Sequence, residues 1–155
     1  MQRSKRILLV AHCIFNQNTV IAKEARAEGA MKSAADWAIG EGFGIVQLPC
    51  PEFSFLGLNR LPMTYEEYNN AEYRKHCREI LKPILKQVEE FSRNGYEISG
   101  LLGIQGSPSC DLRAGRGVFM EELLAMTSEK KIHLTKLWYF PNNSETDFNG
   151  DVHTL

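Results

Sequence analysis

The chain contains 155 residues, with 18 Lys and Arg against 19 Asp and Glu, so its formal net charge is −1. This balance argues against a general binder of nucleic-acid polymers or anionic membranes, since both need clustered positive charge. The 43% hydrophobic and 24% charged fractions exclude the disordered, collagen-like and coiled-coil classes. At this length we expect one compact domain over residues 1–155.

The N-terminal sequence has basic residues followed by an apolar run, a pattern that superficially resembles a secretory signal. The run at residues 7–11 is too short for one, and no small-residue cleavage site follows it. No stretch of about 18 consecutive apolar residues occurs, so we expect no membrane span. The sequence therefore predicts a cytoplasmic protein whose four cysteines stay reduced.

Apolar runs and helical periodicities alternate along the chain. Continuous apolar runs predict strands buried on both faces at residues 7–11, 44–48, 98–104 and 132–140. Apolar residues at helical spacing predict helices at residues 30–39, 64–94 and 117–126. This order predicts an α/β fold: a single three-layer domain with a mostly parallel sheet of about four to five strands flanked by helices.

Local signals refine these elements. Thr64 and Glu67 are spaced as a capping box at the start of the longest helix. Pro83 lies inside that helix and is expected to kink or split it. The polar tail from about Ser144 is expected to fray.

Three cysteines follow predicted strands. Cys13, Cys50 and Cys110 are far apart in sequence, but parallel strands end at one edge of a sheet, where ligands bind in open α/β folds. Three thiolates gathered there need a cation, and soft sulfur ligands favour zinc, copper(I) or an iron–sulfur cluster. The alternative is that they are unrelated buried thiols. Cys77 keeps step with the apolar stripe of the longest helix, and we assign it to packing.

The spacing of these cysteines ranks the candidate metals. Structural zinc usually has four ligands in closely spaced pairs, and the chain contains no such pairs of cysteines. A [4Fe-4S] cluster held by three cysteines would leave one iron free to act as a Lewis acid toward a substrate. The cysteine pattern therefore favours a catalytic cluster over a zinc site.

Two motifs and the first cysteine resemble a known family. Cys13 after the first strand, the turn Cys50-Pro51-Glu52 and the loop Gly106-Ser107-Pro108-Ser109-Cys110 are similar to the thiouracil desulfidase family, in order and spacing over most of the chain. Typical members carry an Arg-x-Asp-Gly element shortly after the first cysteine, whereas this chain has residues 14–19, IFNQNT. It therefore resembles a divergent, desulfidase-related branch.

The resemblance implies a [4Fe-4S] cluster bound by the three cysteines. It also implies hydrolytic removal of sulfur from a thiolated small molecule, such as a thiouracil-like base, with the open iron accepting the sulfur. Glu52 and Ser107 match the catalytic positions, a carboxylate that can activate water and a hydroxyl that can stabilise developing charge. Asn16, Asn18 and Ser109 are candidates for binding the substrate.

Two other functions fit the same residues. In the first, Cys13 or Cys110 is a metal-free nucleophile or persulfide carrier assisted by His12, which requires a low-pKa thiol. In the second, the loops after the strands bind a small ligand without catalysis. Glu52 could then be a solvated side chain, and Ser107 could simply shape its loop. His12 is expected to pack or form a hydrogen bond beneath the site.

Overall fold

A computed structural model of the chain describes residues 1–142 and 147–155. Over these residues it contains four strands: β1 (Arg6–Val10), β2 (Gly44–Gln47), β3 (Glu97–Ile104) and β4 (Lys136–Phe140). All neighbouring strands are parallel, and they form one sheet in the order β2-β1-β3-β4. The predicted parallel sheet is confirmed, although β4 begins four residues later than its apolar run indicated.

Helices connect and flank these strands. The α-helices in the described ranges are α1 (His12–Phe15), α2 (Lys32–Gly40), α3 (Pro51–Leu56), α4 (Tyr65–Tyr68), α5 (Ala71–Arg93) and α6 (Val118–Glu129). Two short 3-10 helices, Gln17–Thr19 and Ala22–Glu24, lie between α1 and α2. None of the helices in the described ranges is long and apolar enough to cross a membrane.

The central strands carry the core. Leu8 and Leu9 of β1 and Leu101 and Leu102 of β3 are fully buried, so both faces of the sheet are covered. With the right-handed crossovers usual between parallel strands, this strand order puts α2 on one face of the sheet and α5 with α6 on the other, in agreement with the predicted three-layer α/β domain. Cys77 is also fully buried among core side chains, as its helical spacing predicts.

The predicted capping box is present but caps a different helix. The Thr64 hydroxyl accepts a hydrogen bond from the Glu67 amide, and the Glu67 carboxylate accepts one from the Thr64 amide. These bonds cap the one-turn helix α4. The long helix α5 starts later, where the Asn70 side chain accepts a hydrogen bond of 2.8 Å from the Tyr73 amide. A second capping residue therefore divides the predicted helix at residues 69–70.

Pro83 does not split the long helix. Helix α5 runs without a break from Ala71 to Arg93 with Pro83 inside it. Leu81 and Leu85 on either side of Pro83 are fully buried against the core. We attribute the continuity to this packing, which outweighs the loss of one helical hydrogen bond.

The C-terminal segment, which its polar sequence led us to expect to fray, packs against the sheet over residues 147–155. Phe148 and His153 are buried, and the Tyr139 amide donates a 3.1 Å hydrogen bond to the His153 carbonyl. Thr154 forms an antiparallel bridge with Trp138 of β4. The part of the expectation that concerns residues 144–146 lies outside the described residues.

The strand order creates a natural binding position. The chain passes from β1 to β2 on one side of β1 and later to β3 on the other side. In open parallel sheets, the connections beyond such a pair of strands diverge and leave a crevice at their carboxyl ends. The segments that follow β1 and β3 carry Cys13 and Cys110.

Candidate functional site

A cavity of about 630 Å³ lies at this end of the sheet. Cys13, Cys50 and Cys110 all line it, although they follow three different strands. Glu52 and Ser107 line the same cavity. The structure therefore brings together the three predicted ligands and the two predicted catalytic residues.

Short helices position the first two cysteines. Cys13 lies in the single turn of α1, and its carbonyl accepts a 2.8 Å hydrogen bond from the buried Gln17 side chain. Cys50 is the N-cap residue of α3, and its sulfur accepts a hydrogen bond of 3.5 Å from the Phe53 amide. Pro51 at the first helical position suits this start, since proline has no amide hydrogen to pair.

A compact loop after β3 positions the third cysteine. The Ser107 hydroxyl oxygen accepts hydrogen bonds from the amides of Ser109 and Cys110, at 3.3 and 3.0 Å. The Cys110 carbonyl accepts a hydrogen bond from Ile104. This close return requires glycine at position 103, because a Cβ atom there would lie 2.5 Å from the Cys110 carbonyl oxygen.

The environment of the thiols disfavours their ionisation in the absence of a cation. Burial, with a smaller effect from the neighbouring Cys50 thiol, raises the pKa of Cys13 to about 12. Burial, followed by the Cys13 and Cys50 thiols, raises the pKa of Cys110 well above its usual value. A metal-free nucleophile needs a thiol whose pKa is lowered. The raised pKa values of Cys13 and Cys110 therefore give no support to a metal-free cysteine nucleophile.

The donor set has the composition that an iron–sulfur cluster needs. Cys13, Cys50 and Cys110 are free, partly buried thiols that line the same cavity, and Cys13 and Cys50 both help to raise the pKa of Cys110. Soft thiolates of this kind bind iron–sulfur clusters. Within the described ranges, no group of three or more His, Cys, Asp or Glu side chains is arranged to hold a metal ion. The role of these cysteines as cluster ligands stays a prediction.

Glu52 forms a buried ion pair at the cavity wall. Its side chain is 14% exposed, and Arg60 Nε lies 3.4 Å from its Oε1 atom. The Arg60 side chain is 4% exposed and also lines the cavity. The carboxylate is therefore held in place rather than freely solvated.

The two serines of the Cys110 loop differ in their surroundings. A hydroxyl group has one hydrogen to donate, so Ser107 keeps that hydrogen while its oxygen accepts from the loop amides. Ser109 lines the cavity but is 1% exposed, and its hydroxyl shares a 2.7 Å hydrogen bond with Tyr73. The structure thus gives both serines a structural role and leaves Ser107 able to donate to a bound molecule.

The two asparagines of the first loop do not line the cavity. The Asn16 side chain accepts hydrogen bonds from the amide and side chain of Asn18, and so caps a 3-10 turn. Gln17 between them is buried and lines the cavity in their place. The structure therefore gives no support to Asn16 and Asn18 as substrate-binding residues. Gln17 could have been found from its position one helical turn after Cys13.

Sequence reasoning also missed Arg26 and Arg60, which both line the cavity. Arg26 donates a 2.8 Å hydrogen bond to the Pro141 carbonyl, and its charge acts to lower the pKa of Cys13. No local sequence motif marks either arginine: Arg26 bonds to the distant Pro141, and Arg60 bonds to the distant Thr19 as well as to the nearer Gly57 and Glu52.

His12 has the supporting position that the sequence predicts. Its Nδ1 atom donates a 2.9 Å hydrogen bond to the Leu48 carbonyl, and its own carbonyl accepts one from the Gln47 side chain. These bonds tie the start of α1 to the end of β2. His12 thus joins the segments that carry Cys13 and Cys50.

Comparison with known proteins identifies a relative that aligns over almost the full length of the chain. The chain is 40% identical over 153 residues to a Methanocaldococcus jannaschii protein named "Uncharacterized protein MJ0003", an alignment that covers 99% of this chain and 96% of the relative. No protein-family model matches the chain, and no solved structure matches it.

Proposed function

We propose that this chain, which belongs to the family of the Methanocaldococcus jannaschii protein MJ0003, is an iron–sulfur-dependent desulfidase. It would remove sulfur from a thiolated small molecule, such as a thiouracil-like base, by hydrolysis. The proposal includes a cytoplasmic location and small-molecule partners only. One observation carries it: three thiols that follow separate strands line one cavity together with Glu52.

The resemblance of the motifs around these cysteines to thiouracil desulfidases supports the reaction class. The cavity adds independent support, because its residues include soft sulfur ligands, a fixed carboxylate and a hydroxyl donor. The departure after Cys13 places Gln17 in the cavity wall, so we expect the substrate to differ from that of typical desulfidases.

Cys13, Cys50 and Cys110 would hold the cluster. When bound, a three-cysteine [4Fe-4S] cluster supplies a Lewis-acidic iron that can accept sulfur. Glu52, held by Arg60, would take a proton from water directed at the thiocarbonyl carbon. The Ser107 hydroxyl would donate a hydrogen bond to the charge that develops on the substrate. Oxygen from water replaces sulfur, which leaves as sulfide, so the organic product is a carbonyl and no net redox change occurs.

Anaerobic purification followed by iron and acid-labile sulfide analysis tests the cluster directly. We expect about four irons per chain, the content of one [4Fe-4S] cluster. Cys13→Ser, Cys50→Ser and Cys110→Ser should each lose most of this iron. Cys77→Ser is the matched control, because Cys77 is fully buried in the core and does not line the cavity, so its loss should leave the iron content unchanged.

Incubation with 2-thiouracil or 4-thiouracil, with detection of released sulfide, tests the activity. Glu52→Gln should keep its iron while turnover falls by about a hundredfold or more, because a general base typically contributes that much. A folded, anaerobically prepared protein without iron would contradict the proposal. Activity without iron that depends on one cysteine would instead identify a metal-free nucleophile.

A further inference from the structure

The charged side chain of Arg60 is almost completely buried. Its guanidinium donates to the Thr19 carbonyl at 2.8 Å and to the Gly57 carbonyl at 3.1 Å, while its Nε atom faces Glu52 at 3.4 Å. Its side chain is only 4% exposed. A buried charge is costly unless it is paired and hydrogen-bonded, and these three contacts meet that requirement.

The contacts of Arg60 reach two cysteine-bearing segments. Thr19 ends the 3-10 turn that follows Cys13, and it is itself buried. Gly57 ends helix α3, whose first turn contains Glu52 and whose N-cap is Cys50. A single side chain therefore links the segment after one cysteine to the helix that begins at another.

We propose that Arg60 is the positioning residue of this site. It fixes the Glu52 carboxylate at the cavity wall and holds the segment after Cys13 against helix α3. The part that concerns Glu52 rests on the proposed desulfidase function. The link between the two segments does not, because it follows from the contacts alone.

Lysine cannot reproduce this arrangement. The guanidinium is a planar group whose five N–H donors point in fixed, separate directions, whereas an ammonium is a compact charge at the end of a flexible stem. One ammonium cannot face Thr19, Gly57 and Glu52 in the observed directions at once. Arg60→Lys therefore keeps the positive charge but loses the fixed donor directions toward Thr19, Gly57 and Glu52.

The experiment compares Arg60→Lys and Arg60→Met with the unaltered protein, all prepared anaerobically. Hydrogen–deuterium exchange on each protein as purified should show faster exchange in residues 17–24 and residues 51–57 together. With a thiouracil as substrate, kcat should fall about tenfold to a hundredfold while KM changes less than threefold, since a misplaced catalytic group affects the chemical step. Arg78→Lys is the matched control, because Arg78 forms ion pairs between α5 and α6, and it should change neither readout.

The outcomes separate the two proposals. Faster exchange confined to the residues next to position 60, or a loss of activity that appears only in KM, overturns the positioning role. An unchanged kcat in Arg60→Lys overturns it as well. If the unaltered protein has no desulfidase activity but both segments still exchange faster in the variants, the proposed function fails and the link made by Arg60 stands. If Arg60→Met does not fold, Arg60→Lys alone decides the question.

Discussion

The cavity wall and the contact between α5 and α6 both contain arginines and glutamates, but they use them differently. Between the helices, Arg74 pairs with Glu121 and Glu122 at 2.7 and 2.8 Å, and Arg78 pairs with Glu122 at 2.6 Å. At the cavity, the shorter hydrogen bonds of Arg60 go to backbone carbonyls, and its carboxylate partner lies 3.4 Å away. One region is a network of matched charges, and the other holds single groups in place.

The cavity side also contains groups that folding alone does not explain. The thiols of Cys13 and Cys110 have raised pKa values because they are buried next to other thiols. The Tyr68 hydroxyl is buried and makes no hydrogen bond of normal geometry with the described residues. Glu52 and Arg60 are nonetheless close enough to shift its pKa, which burial raises most. Proteins accept such local costs mainly at functional sites. The contrast between the regions thus distinguishes a charge network that stabilises the fold from a cavity whose residues carry such local costs.

The largest loss of stability is expected when a side chain at position 103 blocks the close contact between strand β3 and the Cys110 loop. In Gly103→Ala, the new methyl group would lie 2.5 Å from the Cys110 carbonyl oxygen and 2.8 Å from Leu112 Cγ. We expect the free energy of unfolding to fall by about 2 kcal/mol, as overpacking of a tight site usually costs. Iron content should fall in the same variant. Urea denaturation and iron analysis measure the two effects.

Gly40→Ala provides the matched control for that substitution. Gly40 is the last residue of helix α2, and nothing lies within 4 Å of the position of its added Cβ atom. The free energy of unfolding of the Gly40→Ala variant should stay the same or rise by a few tenths of a kcal/mol. Equal losses in the two variants would show that the Cys110 loop has no special steric requirement.

A smaller effect, with a defined pH dependence, is expected in the helix network. Arg74→Met should lower the free energy of unfolding by about 1.5 kcal/mol at neutral pH, because it breaks two partly buried ion pairs. Burial acts to raise the pKa of Glu121, but hydrogen bonds from Arg74, Tyr65 and Gly115 outweigh it and hold that pKa below 4.5. Iron content and turnover should not change.

The lowered pKa fixes the direction of the pH effect. A depressed carboxylate pKa contributes stability that is present above the unfolded value of 4.5 and is lost as the pH falls through the folded value. The stability difference between Arg74→Met and the unaltered protein should therefore shrink on acidification below about pH 4.5. Urea denaturation at a series of pH values measures it. A difference that stays constant would mean that packing, not charge, explains the loss.

The smallest effect, and one of opposite sign, is expected at Tyr68. Tyr68→Phe removes a buried hydroxyl that has no partner in the described parts of the chain. Because an unpaired buried polar group is destabilising, we expect the free energy of unfolding to rise by about 1 kcal/mol. Tyr96→Phe is the control, since the Tyr96 hydroxyl accepts a hydrogen bond from Arg3 near the surface. A loss of stability in Tyr68→Phe would show that the hydroxyl is bound in solution.

Much of the fold could be predicted from local patterns. The apolar runs of β1 and β3 are buried on both faces, and this burial is what makes them continuous. Cys77 has the helical spacing of the apolar residues of α5, and it is buried with them. The juxtaposition of Cys13, Cys50 and Cys110 could also be predicted, because parallel strands connected by helices all end at one edge.

Other features depended on local backbone conformations or on distant partners that the hydrophobic pattern does not show. Asn16 and Asn18 were indistinguishable from Gln17 until the 3-10 turn directed Gln17 into the cavity. The C-terminal segment appeared polar, but Phe148 and His153 pack onto the sheet. The one helix predicted at residues 64–94 became two because Asn70 supplies its own cap.

The sequence by itself determined the layer order, the parallel sheet and the edge at which the three cysteines meet, because hydrophobic periodicity and chain connectivity are local properties. Only the tertiary structure decided that Arg60 joins Thr19 to Gly57, that Glu52 is held in an ion pair at the cavity wall, and that the buried Tyr68 hydroxyl lacks a hydrogen bond of normal geometry within residues 1–142 and 147–155. Hydrogen bonds and ion pairs between residues far apart in the chain depend on distances of a few tenths of an ångström. Those distances are set when all the elements pack together, and no local pattern encodes them.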